Sequence, residues 1–143
     1  CRAQGRAPAA CEVVRVGHGT PRNPRSAERT REVATAMAKA GVAARIHALF
    51  LEEEPLIDGW QACTRAADVI VVPFLIGNWY HGSEDLPGRI GLNSAPSGET
   101  GAGPGPHAVA GRRLWYLPPF GDEPEIADLV VAMVEAFDAG RAA

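Results

Sequence analysis

Apolar positions along the chain repeat with two periods, and they divide it into alternating strands and helices. Val13-Val14-Arg15-Val16 is a short β-branched run ending at Gly17-His18-Gly19-Thr20. It predicts a first strand with a tight exit supplied by the glycines. Asn23-Pro24 opens a helix, Asn as N-cap and Pro at the first helical position. Val33, Ala34, Met37 and Ala40 lie on one face of that helix, and Gly41 stops it. Residues 42–51 predict a second strand. Pro55 starts a second helix with Leu56, Ile57, Trp60 and Cys63 facing inward. Residues 69–75 are apolar on both faces, as a central parallel strand is. A short helix begins near Asp85, with Pro87 in its first turn. Gly, Pro and Ser crowd residues 93–111, which read as a flexible loop. Residues 113–117 predict a fourth strand. Asp122 and Glu125 have the spacing of a capping box. The last helix carries Ile126, Leu129, Val130, Met133, Val134 and Phe137, the clearest helical period in the chain.

The order β-α-β-α-β-α-β-α predicts an α/β fold: an open four-stranded parallel sheet with helices on both faces. The 143 residues suit one core, so residues 11–143 are read as a single domain and residues 1–10 as a mobile arm. A formal net charge of -3 gives no pull toward nucleic acid or an anionic membrane. The longest apolar run, residues 69–76, is far short of the ~18–20 residues of a membrane span. The expectation is a cytoplasmic protein with neither nucleic-acid nor membrane partner. Cys1, Cys11 and Cys63 match neither a disulfide framework nor a zinc motif, and reduced thiols are expected. A start at Cys1 instead of Met reads as a processed product or a piece of a longer chain.

Ligands of an open parallel sheet bind beyond the carboxyl ends of its strands. That rule alone selects His18 after the first strand, Glu52, Glu53 and Glu54 after the second, His81 after the third, and Pro118-Pro119-Phe120 after the fourth. Two imidazoles and a carboxylate suit a divalent transition metal, and three protein ligands leave coordination positions open. Neutral imidazole also accepts protons near neutral pH. The plainer reading keeps its weight: a lone His after a strand is more often a loop residue, and Glu52–Glu54 suit a solvated run before a helix. His47 falls within a strand and reads as structural; His107 falls in the loop and reads as solvated. Dinucleotide, Walker A, zinc-protease and nucleophile-elbow motifs are absent. The residues by themselves support a candidate metal site and no more.

At these positions the sequence resembles the CbiX/SirB family of sirohydrochlorin cobaltochelatases and ferrochelatases. Val16-Gly17-His18-Gly19-Thr20 is similar to the family's V-G-H-G-S/T strand end. Phe50-Leu51-Glu52 with Pro55 is similar to its F-L-E…P segment. Val72-Pro73, His81 and Asp85-Leu86-Pro87 are similar to its V-P…H…D-I/L-P segment, and Pro118-Pro119-Phe120-Gly121 to its P-P-L-G. The likeness runs from about residue 13 to residue 137, with all four pieces in order at strand ends.

The resemblance implies a chelatase-like half domain and an ATP-independent class II chelatase, a lyase of cobalamin or related tetrapyrrole biosynthesis. Such an enzyme places Co2+ or Fe2+ into sirohydrochlorin or a related tetrapyrrole, with no cofactor beyond the substrate metal. Carried over, His18 and His81 are the catalytic histidines, holding the metal, accepting pyrrole N–H protons, or both, and Glu52 is the acidic position facing them. Arg22 and Arg25 are candidates to meet the substrate's carboxylates, Arg89 a weaker one. Trp79 and Tyr80 are candidates to stack on the macrocycle. A homodimer, or a second chelatase-like domain, is the expected partner. The competing expectation is a non-catalytic metal- or tetrapyrrole-binding domain of a larger protein.

Overall fold

The computed structural model describes residues 10–23, 25–77, 80–92 and 105–141. In chain order they form β1 (Cys11–Gly17), α1 (Arg25–Lys39), β2 (Arg45–Phe50), α2 (Trp60–Cys63), β3 (Asp68–Pro73), α3 (Leu86–Arg89), β4 (His107–Val109), β5 (Arg112–Tyr116) and α4 (Glu125–Arg141). A 3-10 turn at Ile57–Gly59 leads into α2, a π-helical turn at His81–Asp85 leads into α3, and a 3-10 turn at Phe120–Asp122 precedes α4.

The expected sheet is corrected in one respect. It has five strands, ordered β2-β1-β3-β5-β4. The four anticipated strands are parallel, and the fifth, β4, pairs antiparallel with β5. Residues 107–109 lie at the end of the stretch read as a flexible loop, because Gly and Pro around them mask the strand. The turn that allows the pairing is Ala110-Gly111, with φ of 49° and 74°. Two successive residues with positive φ are what a tight hairpin turn requires. The rest of that stretch, residues 93–104, lies outside the described residues, as does most of the arm at 1–10.

Alternation along β1 sorts the two faces. Val14 and Val16 join Leu49, Ile57, Trp60, Val69, Val71, Leu86, Ile90, Leu114 and Tyr116 in the main core, beneath α2 and α3. Arg15 turns the other way and donates from Nη1 to the Thr30 carbonyl of α1 at 3.3 Å. α1 packs against β1 and β2 and buries Ala27, Thr30 and Ala34. Asn23 caps it, its side-chain oxygen accepting from the Arg25 N–H at 3.1 Å. His47 bonds Glu12 across the β1–β2 pair at 2.7 Å, so its structural reading stands. Cys63 is a free thiol, whereas Cys11 is disulfide-bonded and not the reduced thiol expected.

α4 departs from the expected coverage. Among the described residues, its 17 residues meet the body of the protein chiefly at the Phe120–Asp122 turn. Leu129, Val130, Met133, Val134 and Phe137 are each more than half exposed. On the α1 side of the sheet, Ile70, Val72 and Trp115 are half-buried. Fully burying a side chain of this size stabilises by roughly 1.5–3 kcal/mol, so this chain by itself forgoes several such contributions. Among the described residues no helix is long and apolar enough to cross a membrane.

Candidate functional site

β1 delivers His18, and two glycines shape its exit. A Cβ on Gly17 would stand 2.3 Å from Thr30 Oγ1, so α1 packs directly on the backbone there. Gly19 has φ +70°, and a Cβ would meet Glu53 Cγ at 2.9 Å and Phe50 Cβ at 3.0 Å. The loop after β2 clamps this turn. Glu52 N–H donates to the His18 carbonyl at 3.0 Å, and Thr20 N–H donates to Glu53 Oε2 at 2.9 Å. His18 Nδ1 lies 2.8 Å from the Gly19 carbonyl. A carbonyl only accepts, so Nδ1 carries the proton, and Nε2 of the neutral ring keeps its lone pair.

His81 begins the π-helical turn His81–Asp85, a distortion often found at functional sites. Its Nδ1 lies 3.0 Å from Asp85 Oδ2, which fixes the same tautomer: Nδ1–H donated, Nε2 free. Tyr116 pins the turn from below by donating its hydroxyl to the Gly82 carbonyl at 2.6 Å. Burial pushes the Tyr116 phenol well above its ordinary range, so it remains a donor at any working pH.

The two rings meet edge to face, with centroids 5.2 Å apart and an 84° interplanar angle. Both are nearly half exposed. They border a cavity of about 500 Å³ also lined by Phe74, Leu75, Ile76 and Gly77. Apolar walls with a few convergent polar groups are the usual make-up of a small-molecule site. Phe74 stacks on Phe120 at 4.6 Å. Behind Phe74 lies the Arg15 guanidinium, 3.7 Å from the ring centroid, and desolvation lowers the Arg15 pKa to about 10.

The remaining predicted residues are distributed unevenly. Glu52 Oε2 is 3.8 Å from His18 Nδ1, so Glu52 stands beside His18 on the side away from its free nitrogen. Among the described residues no group of three or more His, Cys, Asp or Glu is arranged to hold a metal ion. Tyr80 is exposed, its ring 5.6 Å from that of His81. Trp79 lies outside the described residues. Arg22 is exposed in the turn after His18, its N–H bonded to Thr20 Oγ1 at 3.3 Å. Arg25 lines a different hollow along α1 with Glu28, Arg31, Glu32 and Thr35. Arg89 is committed elsewhere: it donates to Asp58 and to the Leu51 carbonyl, and its bond to Asp58 holds that carboxyl below the usual range. Glu53 pairs with Arg31 at 3.4 Å. His107 is half-buried in β4 and is not a solvated loop residue.

Sequence reasoning assigned no role to Asp85, Tyr116, Phe74 or Arg15. Asp85 alone left a signal, four residues beyond His81 and so on the same face of a helical turn. The pairing of Tyr116 with Gly82 joins segments 34 residues apart and left none.

A family model described as CbiX matches residues 12–136. A Halobacterium salinarum protein described as a probable sirohydrochlorin cobaltochelatase is 36% identical over 125 residues, covering 87% of this chain and 41% of its own length. A multi-domain Deinococcus radiodurans protein, described as structurally similar to chelatases but with two additional novel domains, superposes with a TM-score of 0.74 at 28% identity. That match covers 87% of this chain and 28% of the other. A CbiX protein from Marinobacter aquaeolei shares the fold at a TM-score of 0.62 and 18% identity, over 92% of this chain and 97% of its own.

Gly19→Ala tests the clamp on His18. Forcing an L-residue to φ +70° against Glu53 and Phe50 should cost about 1–3 kcal/mol in urea unfolding. An unchanged midpoint would mean that the turn relaxes freely and does not fix the ring.

Proposed function

The chain belongs to the CbiX family, and on that premise we propose that it inserts a divalent metal, Co2+ or Fe2+, into sirohydrochlorin or a related tetrapyrrole without ATP. The observation that carries the proposal is the pair of imidazoles, 5.2 Å apart beside an apolar cavity, each with Nδ1 committed to a carbonyl or carboxylate. The free Nε2 atoms hold the incoming metal and, once it has passed to the pyrrole nitrogens, their vacated lone pairs take up the two protons those nitrogens release. Insertion releases two protons, and neutral imidazole is the side chain suited to receive them near pH 7. Ligation by few donors favours release: a closed cage of four would retain the metal. Glu52 is the proposed acidic member of the set, a carboxylate beside His18 that favours a cation at the rim. The flat ligand lies against Phe74, Leu75 and Ile76, with exposed Tyr80 beside His81. Arg15, behind Phe74, adds positive potential to a wall that faces a polycarboxylate. Arg22 is the better placed of the two proposed carboxylate contacts, since Arg25 lines another hollow.

A second reading has one specific support. The chain spans 41% of the Halobacterium relative and 28% of the multi-domain Deinococcus protein. It would then be a metal- or tetrapyrrole-binding domain working within a larger assembly.

Three outcomes test the proposal. His18→Ala and His81→Ala should each remove most Co2+ insertion into sirohydrochlorin, followed by the change in the macrocycle's absorption. Stoichiometric metal binding with insertion no faster than the protein-free rate would support the second reading instead. Asp85→Ala should weaken metal affinity or insertion by about 10–100-fold, because the ring loses the partner that sets its tautomer. Metal affinity should fall as pH drops from 8 to 5, since imidazole ligates only in its neutral form; an affinity that stays flat over that range contradicts a histidine site.

A further inference from the structure

We propose that Arg89 is a positioning residue: its guanidinium ties the loop that holds His18 to the helix that holds His81, and so sets the spacing of the two rings. The inference rests on the reading of those rings as the metal-handling pair, but its first test needs no turnover.

On the His81 side the attachment is through α3. Leu86 and Ile90 are fully buried, so Arg89 projects from a base seated in the core. One turn earlier, Asp85 holds Nδ1 of His81 at 3.0 Å. Residues four apart share one face of a helix, and opposite charges at that spacing attract. The Arg89 pKa lies above its ordinary value, raised first by the bond to Asp58 and then by the charges of Asp58 and Asp85.

On the His18 side the attachment is through the loop after β2. That loop turns back on itself: Phe50 N–H donates to the Pro55 carbonyl at 3.0 Å, and Phe50 bridges to Leu56. Arg89 grips both of its limbs. Nη1 donates to the Leu51 carbonyl at 2.9 Å, Nε donates to Asp58 Oδ1 at 3.2 Å, and Nη2 donates to Asp58 Oδ2. A forked guanidinium–carboxylate pair fixes direction as well as distance. The Leu51–Glu52 peptide completes the link. Its carbonyl accepts from Arg89, while its N–H donates to the His18 carbonyl at 3.0 Å. A single peptide unit therefore joins the guanidinium to the backbone of His18.

Strand register brings the ends of β1 and β3 together, but His81 stands eight residues past β3, too far for register to fix its ring. Tyr116 holds its turn from the β5 side. Arg89 holds it from the β2 side, where the other ring is anchored. A direct substrate contact fits the observations less well. The fork is closed on Asp58, the Arg89 side chain is only 22% exposed, and the described residues lining the cavity beside the rings do not include it.

The test starts with the metal-free protein. The ring protons of His18 and His81 should show a mutual nuclear Overhauser effect, which Arg89→Met should largely abolish. Arg113→Met controls for lost stability, since it removes the ion pair to Asp68 at the opposite end of the sheet; there the effect should persist. Full intensity in Arg89→Met overturns the proposal, as does absence of the effect from the wild type. Asp58→Asn weakens the fork and keeps the Leu51 bond, which covers a failure of Arg89→Met to fold. It too should lose intensity, and an unchanged signal overturns the proposal. In Co2+ insertion, kcat of Arg89→Met should fall about tenfold or more with KM for the tetrapyrrole unchanged, because misplaced rings slow the step without removing a substrate contact. A raised KM at unchanged kcat makes Arg89 a substrate contact and overturns the proposal. Absence of insertion by the wild type sinks the proposed function instead, while the ring-to-ring signal still decides the role of Arg89.

Discussion

The site depends on β1 and β3 lying side by side and pointing the same way. Their register pairs Val16 with Pro73, so the two strands end together and their exits emerge at one edge of the sheet. His18 stands one residue past β1 and His81 eight past β3, yet their rings come within 5.2 Å. With an antiparallel pair, one exit would lie at the far end of the sheet. Everything near the rings elaborates that constraint. Gly17 lets α1 close on the strand end, and Gly19 lets the chain turn under Phe50 and Glu53. Tyr116, on the next strand, holds the π-helical turn that carries His81.

A further consequence is that the two histidines present the same nitrogen. One is oriented by a backbone carbonyl and the other by a carboxylate.

Much of this was legible in the sequence because it followed from local rules. The β-branched run at Val13–Val16, the continuous apolar run from Val69 and the glycines around His18 located β1, β3 and a strand-end histidine. The parallel-sheet rule then placed His18 and His81 on one edge. What stayed hidden was long-range or non-repetitive. β4 is three residues long and enclosed by Gly and Pro, so no period announces it. The bond from Tyr116 to Gly82 and the stack of Arg15, Phe74 and Phe120 join distant segments. The period of α4 identified an apolar face, but periodicity says nothing of what surface covers it. Arg89 and Arg25 were chosen for charge near the rim, and charge alone does not reveal that Asp58 claims one and the outer side of α1 the other.

The most direct test of the paired imidazoles is proton NMR of the Co2+-loaded protein, in which ligand protons shift far outside the ordinary range. If both rings bind through Nε2, two solvent-exchangeable Nδ1–H resonances appear downfield, one vanishing in His18→Ala and the other in His81→Ala. A spectrum with no such pair, or one that neither substitution alters, would contradict a metal held between these two histidines.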